Sequence, residues 1–355
     1  MSTNTVSIVS IVSFLSGIAL FMCFQIVLYS YYDYLQYAFE LVHIDLFSLI
    51  SNLHPLLVFG FVFTLYQVLS YVLLCSLVRH DFYFGTAVRS NLLGSIFSLG
   101  LEISLVNYYS QYGHSTPAVP GSPPAPMSTL EARLQFLDHP YSGIYLCFLS
   151  FFHYSEFLIM ALVNPGAVKM SSFMLNHSVP YHIAVVTSWI EYCAEMYFLS
   201  SYKLHPISTL IHTTGIVLCF TGEFIRKLAI FTASTNFNHI VQMNRKEGHR
   251  LVTDGIYSVF RHPSYVGWFM FSVGTQMILV NPICILGYTL ASWDFFNARI
   301  YTEEEALIRF FGPEYITYQK RVKIWIPFIK GYQVERVEDV AAPGASGARL
   351  IRRES

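Results

Sequence analysis

Charge is scarce in this 355-residue chain: Asp, Glu, Lys and Arg make up 12% of it, against 54% hydrophobic residues. A soluble domain devotes about 25% of its residues to charge. The composition therefore excludes an ordinary soluble enzyme, a disordered chain and a collagen-like fibre. A surplus of positive charge is also missing. The 21 basic and 22 acidic residues leave a formal net charge of −1, without the basic stripe that a nucleic-acid partner requires. Cysteines occur singly, at Cys23, Cys75, Cys147, Cys193, Cys219 and Cys284. No CxxC or Cys/His spacing suggests a metal site or disulfides, and all six fall in apolar runs, where cysteine behaves as a small hydrophobe. No basic stretch precedes the first apolar run, so it reads as a membrane helix and not a cleaved signal peptide. The terminal Arg352-Arg353-Glu354-Ser355 offers neither a prenylation box nor a simple retention signal. There is no internal repeat.

Long apolar runs are what the chain has in abundance, and an all-α, polytopic integral membrane protein is the class that remains. A crossing needs about 20 apolar residues. Such runs fall at Val6–Leu28, Pro55–Val78, Ser90–Val106, Ser142–Val163, Tyr181–Leu199 and Ile207–Ile225, followed by a block from Ser264 to Phe296. Asn281-Pro282 divides that block into a helical hairpin, Ser264–Val280 and Ile283–Ala298. The expected total is about eight transmembrane helices. A cytosolic N-terminus then places on the cytosolic side every one of the 21 Lys and Arg except Arg133 and Lys203, the asymmetry that orients membrane proteins. The C-terminal region accordingly faces the cytosol.

The expected organisation is helices 1–3 in residues 1–106, a proline-rich lumenal loop at 107–141, helices 4–6 in 142–230, a catalytic region at 231–330 containing the hairpin 264–298, and a disordered tail at 331–355. The loop holds the Pro-rich stretch around 113–126. Beyond the hairpin, Thr302 with Glu305 three residues later reads as a capping box opening a separate cytosolic helix, with Glu305 paired to Arg309. Glu303, in line with Leu307 and Phe310, points inward and becomes a site candidate. A second short helix is expected at Glu314–Val322.

Ionisable groups inside membrane runs carry a functional hypothesis by default. Here they are Glu102, Glu156, Glu191, Glu195 and Glu223, for which internal pairing is the favoured reading, and Arg226 at the membrane edge. An arginine at that depth suits a carboxylate or phosphate arriving from the lipid phase. In Arg261-His262-Pro263-Ser264-Tyr265 the proline sits at a helix start, so the N–H groups of Ser264 and Tyr265 are free to meet an anion.

The run Gly248-His249-Arg250-Leu251-Val252-Thr253-Asp254-Gly255-Ile256-Tyr257 continues through Arg261-His262-Pro263-Ser264-Tyr265 to Gly267-Trp268. Together with Phe237–Gln242, Gly274-Thr275-Gln276, Asn281–Cys284, Arg299, Thr302–Glu305 and Phe311–Tyr315, it resembles the isoprenylcysteine carboxyl methyltransferase family. The likeness is strong from about Ser178 to Tyr332. It implies an endoplasmic reticulum membrane enzyme with its active site facing the cytosol. The implied reaction uses S-adenosylmethionine, released as S-adenosylhomocysteine, to methylate the C-terminal carboxylate of farnesylated or geranylgeranylated cysteine in CaaX proteins. Cofactor contacts carried over from the family fall on Gln242, His249, Arg250, Leu251, Val252, Tyr257, His262, Pro263, Ser264, Tyr265 and Glu303, and its substrate-side arginines on Arg226 and Arg299. The implied partners are prenylated proteins and the bilayer, with no nucleic acid. The Arg-His-Pro-x-Tyr element alone also fits a phospholipid N-methyltransferase or a membrane sterol reductase, and the membrane glutamates alone would suit a transporter.

Overall fold

The computed structural model describes residues 3–40, 55–78, 81–112, 140–203, 205–245 and 248–333. The proline-rich stretch 113–126 and the tail past residue 333 lie outside them. Long helices occupy all eight expected places: α1 Thr3–Glu40, α2 Pro55–Leu77, α3 Asp81–Tyr112, α4 Pro140–Val163, α5 Val179–Phe198, α6 Pro206–Ala233, α7 Pro263–Leu279 and α8 Pro282–Phe311. A short α9, Pro313–Arg321, follows, close to the expected Glu314–Val322. Thr5–Val27, Gly60–Leu77 and Tyr141–Val163 are each long and apolar enough to cross a membrane.

Several helices outrun their apolar cores. Ser90–Val106 is the middle of α3, whose Arg89 bends back to donate from Nη1 to Gly85 O at 3.1 Å. Helix α6 continues two turns past Ile225, which puts Arg226 and Lys227 on a helix flank and not in a loop. The expected break between Ala298 and Thr302 does not occur. No glycine or proline stands between Ser292 and Phe311, so α8 runs on until Gly312-Pro313 ends it. Thr302 is no cap: its Oγ1 donates to Ala298 O at 3.0 Å within the helix. Nor does Glu305 pair with Arg309, since no ion pair joins them among the described residues.

Membrane helices gain little from excluding water, so close backbone approach through small residues carries their association. Helices α6 and α7 show this most clearly. A Cβ on Gly222 would lie 2.5 Å from Gly267 O, and one on Gly215 2.8 Å from Gly274 O. Gly100 and Gly143 make the same kind of contact between α3 and α4.

Polar groups close the far end of the hairpin. Lys203, fully buried, donates to Leu279 O, Val280 O and Asn281 Oδ1 at 2.6, 3.0 and 3.2 Å, and Glu195 neutralises it at 2.6 Å. Glu191 accepts from the N–H groups of Ile283 and Cys284, both at 2.7 Å, satisfying the first turn of α8. Both glutamates are thus structural. At the opposite end, the segment after α9 folds back: Ile324, Ile326 and Ile329 pack with Val266, Phe296 and Ile300. That return stroke clamps residues 248–262 against α8 and forms the walls of a cavity.

Candidate active site

The cavity opens where α6, α7 and α8 emerge, beneath the connection from Asn236 to Val252. All thirteen site candidates line it: Arg226, Gln242, His249, Arg250, Leu251, Val252, Tyr257, His262, Pro263, Ser264, Tyr265, Arg299 and Glu303. They come from four separate stretches of chain, so the spacing in sequence gave no direct sign of their convergence.

The inward carboxylates divide differently from the sequence expectation. Glu303 does reach the cavity, with its side chain 29% exposed, and it accepts a short hydrogen bond from Tyr265 Oη. The buried glutamate is its neighbour Glu304, at 0% exposure. Glu304 Oε1 takes His262 Nε2 at 3.0 Å and Tyr315 Oη at 3.2 Å, with Arg261 Nε at 2.7 Å. Its Oε2 takes Gln319 Nε2 at 3.0 Å and the Tyr332 N–H at 2.9 Å. One carboxylate therefore ties the Arg-His-Pro turn, α9 and the return stroke together. Gly331 is required for this: it has φ +73°, and a Cβ there would lie 2.0 Å from Glu304 Oε2.

His262 is consequently a held side chain. Its ring is bonded to Glu304 and stacks on Tyr265 at 5.6 Å. The helix start that Pro263 opens offers fewer free donors than expected, because the Tyr265 N–H donates to His262 O at 3.0 Å. Burial raises the Tyr257 and Tyr318 phenols above their ordinary range, so both remain donors at neutral pH; Tyr318 Oη donates to Tyr257 O at 2.6 Å. His177, which the sequence reading passed over, edges Trp268 and Phe295 at 5.1 and 6.0 Å. Burial first, then the charges of Arg299 and Arg226, holds its imidazole below the ordinary value.

The two arginines differ sharply. Arg226, 2% exposed, sits between Trp268 and Phe152 and is bidentate to Glu156, Nε to Oε1 at 2.8 Å and Nη2 to Oε2 at 2.6 Å. Its Nη1 donates to Ser264 Oγ and O at 2.6 and 3.2 Å. Arg299 Nε donates to Tyr265 Oη at 2.9 Å and Nη2 to His239 O at 2.5 Å. Among the described residues no carboxylate lies within 4 Å of Arg299, and no protein acceptor takes its Nη1. A half-buried cation of this kind is chemically suited to an anion.

This geometry has relatives. The profile of the isoprenylcysteine carboxyl methyltransferase (ICMT) family matches residues 215–309, which contain most of the cavity. The protein-S-isoprenylcysteine O-methyltransferase of Tribolium castaneum is 45% identical over 256 residues, 72% of this chain and 80% of the relative. The chain belongs to the isoprenylcysteine carboxyl methyltransferase family. The human enzyme of the same name is 49% identical over 193 residues, 54% of this chain and 67% of its own length. The solved structure of a eukaryotic intramembrane Ras methyltransferase, ICMT, superposes with a TM-score of 0.72 at 39% identity, covering 92% of this chain and 99% of that one. Family membership makes the chain an integral membrane methyltransferase, and leaves the phospholipid N-methyltransferase, sterol reductase and transporter readings without support.

Residues missed by the sequence reading are mainly those that hold other residues. Glu156, His239, Arg261, Glu304 and Tyr315 have few distinguishing local features. The usable signals were the membrane position of Glu156 and, for the other four, their place inside the motif blocks Phe237–Gln242, Arg261–Tyr265, Thr302–Glu305 and Phe311–Tyr315.

Proposed function

We propose that the chain methylates the C-terminal carboxylate of a farnesylated or geranylgeranylated cysteine in CaaX proteins, with S-adenosylmethionine as methyl donor and S-adenosylhomocysteine as by-product. Eight spans, a cytosol-facing active site in the endoplasmic reticulum membrane, and a catalytic region at 231–330 following two membrane units complete the reading. The observation that carries it is the presence of a half-buried cation without a carboxylate partner, Arg299, and a partly exposed carboxylate, Glu303, in one cavity between α6, α7 and α8.

The cavity's own residues fit the donor. Glu303 offers a carboxylate to its cationic or hydroxyl groups, and Leu251, Val252, Leu307 and the faces of Phe310 and Phe311 supply apolar and aromatic surface for a purine. When bound, S-adenosylmethionine supplies an electrophilic methyl group on a sulfonium. Gln242, His249 to Val252, Tyr257 and His262 to Tyr265 are assigned to its binding. The substrate carboxylate is already ionised at neutral pH, so no general base is needed and the absence of a catalytic triad is consistent. Arg299 orients the carboxylate through its free Nη1. The carboxylate oxygen forms the new O–CH3 bond as the donor's S–CH3 bond breaks, and no proton moves. What the protein contributes is alignment and exclusion of water. The prenyl chain reaches the site from the bilayer, at about 0.8 kcal/mol per buried CH₂.

The test is methyl transfer from labelled S-adenosylmethionine to N-acetyl-S-farnesylcysteine by the chain reconstituted in nanodiscs. The expected product is a base-labile labelled ester. A preparation that binds the donor yet forms no ester would sink the reading.

A further inference from the structure

We infer that Glu156 is a positioning residue for methyl transfer: it takes up the charge of Arg226, so that Arg226 does not stand beside Arg299 as a second uncompensated cation facing the substrate carboxylate. The inference rests on the activity proposed above.

Glu156 projects from α4 with no solvent exposure, and both of its oxygens are saturated. Oε1 accepts from Arg226 Nε at 2.8 Å and Lys227 Nζ at 2.5 Å. Oε2 accepts from Arg226 Nη2 at 2.6 Å and His239 Nε2 at 3.0 Å. The second cation is shared, since Lys227 also lies 3.2 Å from Glu223 Oε2. Two carboxylates, Glu156 and Glu223, thus face two cations, Arg226 and Lys227, within one buried cluster. Arg226 has five N–H groups; two go to Glu156 and two to Ser264. It therefore lines the cavity as a neutralised, immobile wall. His239 carries the arrangement to the second arginine, because its carbonyl accepts from Arg299 Nη2.

The chemistry gives this device a purpose. A carboxylate loses negative charge as its oxygen bonds to the methyl carbon, so a cation holds the ground state more strongly than the transition state. Beyond the one contact that aligns the carboxylate, each further cation tightens substrate binding and slows the transfer. Charge-assisted bonds are roughly twice as strong as neutral ones. Two bare arginines in one cavity would bind the acid well and methylate it poorly. Glu156 removes one of them from the balance while keeping its bulk against Trp268 and Phe152.

The experiment uses the full chain in nanodiscs and compares N-acetyl-S-farnesylcysteine with its methyl ester, which shares the prenyl group and lacks the charge. In Glu156→Gln, affinity for the acid should rise about tenfold relative to the ester, while kcat falls by about tenfold or more, a factor of ten corresponding to one charge-assisted contact. Glu156→Asp, which keeps the charge, should leave the acid-to-ester ratio at its wild-type value. The double variant Glu156→Gln/Arg226→Gln removes both charges together and should also restore the ratio to within about threefold; it carries the test if the single variant fails to fold. A general structural loss would move acid and ester alike. An unmoved ratio in Glu156→Gln, or an acid-specific loss of about tenfold in the double variant, would overturn the inference. Absence of wild-type transfer would instead sink the proposed activity, so the two failures are distinguishable.

Discussion

Replacing Glu304 by Gln keeps the side chain's shape and removes its charge, and the structure makes the consequence specific. The carboxylate serves four hydrogen-bond donors, two on each oxygen, and forms an ion pair with Arg261 through Oε1. A glutamine has one acceptor oxygen. If that oxygen takes the Oε1 place, its amide N–H₂ faces Gln319 Nε2 and the Tyr332 N–H. If it flips, the N–H₂ faces Arg261, His262 and Tyr315. Either way at least two buried donors lose their acceptor, at about 1–3 kcal/mol each, and Arg261 loses its counter-charge, where breaking a buried pair costs about 3–5 kcal/mol. These losses overlap. A total of about 3–5 kcal/mol is expected, a large share of the roughly 5–15 kcal/mol by which a domain is stable.

The loss should be concentrated in the unit that Glu304 ties together. A thermal scan in nanodiscs should show an apparent Tm lower by roughly 10 °C, using about 2–4 °C per kcal/mol for a chain of this size. Hydrogen exchange should rise first in residues 255–262 and 313–332, before the α3–α4 contact. S-adenosylmethionine should recover part of the lost Tm, since it binds only the ordered form. A Tm within about 2 °C of wild type, with unchanged exchange in those residues, would refute the argument that this carboxylate's charge holds the turn.

Arg299→Ala should abolish ester formation while the protein still inserts and binds S-adenosylmethionine; turnover near the wild-type rate would reduce Arg299 to an interfacial anchor. Glu303→Gln should weaken donor binding at least about tenfold, one contact to a charged group, whereas Glu305→Gln should leave it nearly unchanged in the same titration. Gly222→Ala forces a Cβ to within 2.5 Å of backbone at Gly267 and should cost about 1–3 kcal/mol. The matched control is Gly60→Ala, where nothing lies within 4 Å; a Tm scan should separate the two.

The sequence carried the helices well because hydrocarbon thickness imposes a length and a composition that few other constraints imitate. Ser264–Val280 and Ile283–Ala298 were legible from apolar content and from Asn281-Pro282. What it carried badly was where helices stop once they leave the membrane. The polar run Thr302–Glu305 looked like a start signal, yet no breaker precedes it, and propensity favours continuing a helix already formed. Glu303 reaches the cavity as its facing predicted, but the second inward carboxylate, Glu304, was not legible for a related reason. Leu307 and Phe310 mark one apolar face of α8, but the return stroke from Val322 to Tyr332 covers a neighbouring face and buries Glu304. A partner more than 15 residues downstream leaves no trace in local periodicity.

Partners also explain why some charges could be read for function and others could not. Lys203 counted as a basic residue on the far side of the membrane. In the fold it is fully buried and closes the hairpin with Glu195 and three acceptors, so it says little about which surface faces water. Arg226 drew attention for its depth, and depth is the property that forces a cation to find a carboxylate. Glu156, 70 residues earlier in the chain, is that carboxylate. Arg261 finds Glu304 in the same way. Of the buried and half-buried cations lining the cavity, Arg299 alone has no carboxylate within 4 Å. The scarcity of charge in the chain follows from the membrane; among the described residues Arg299 is the half-buried cavity cation left without a carboxylate, as the proposed substrate, which brings its own negative charge, would require.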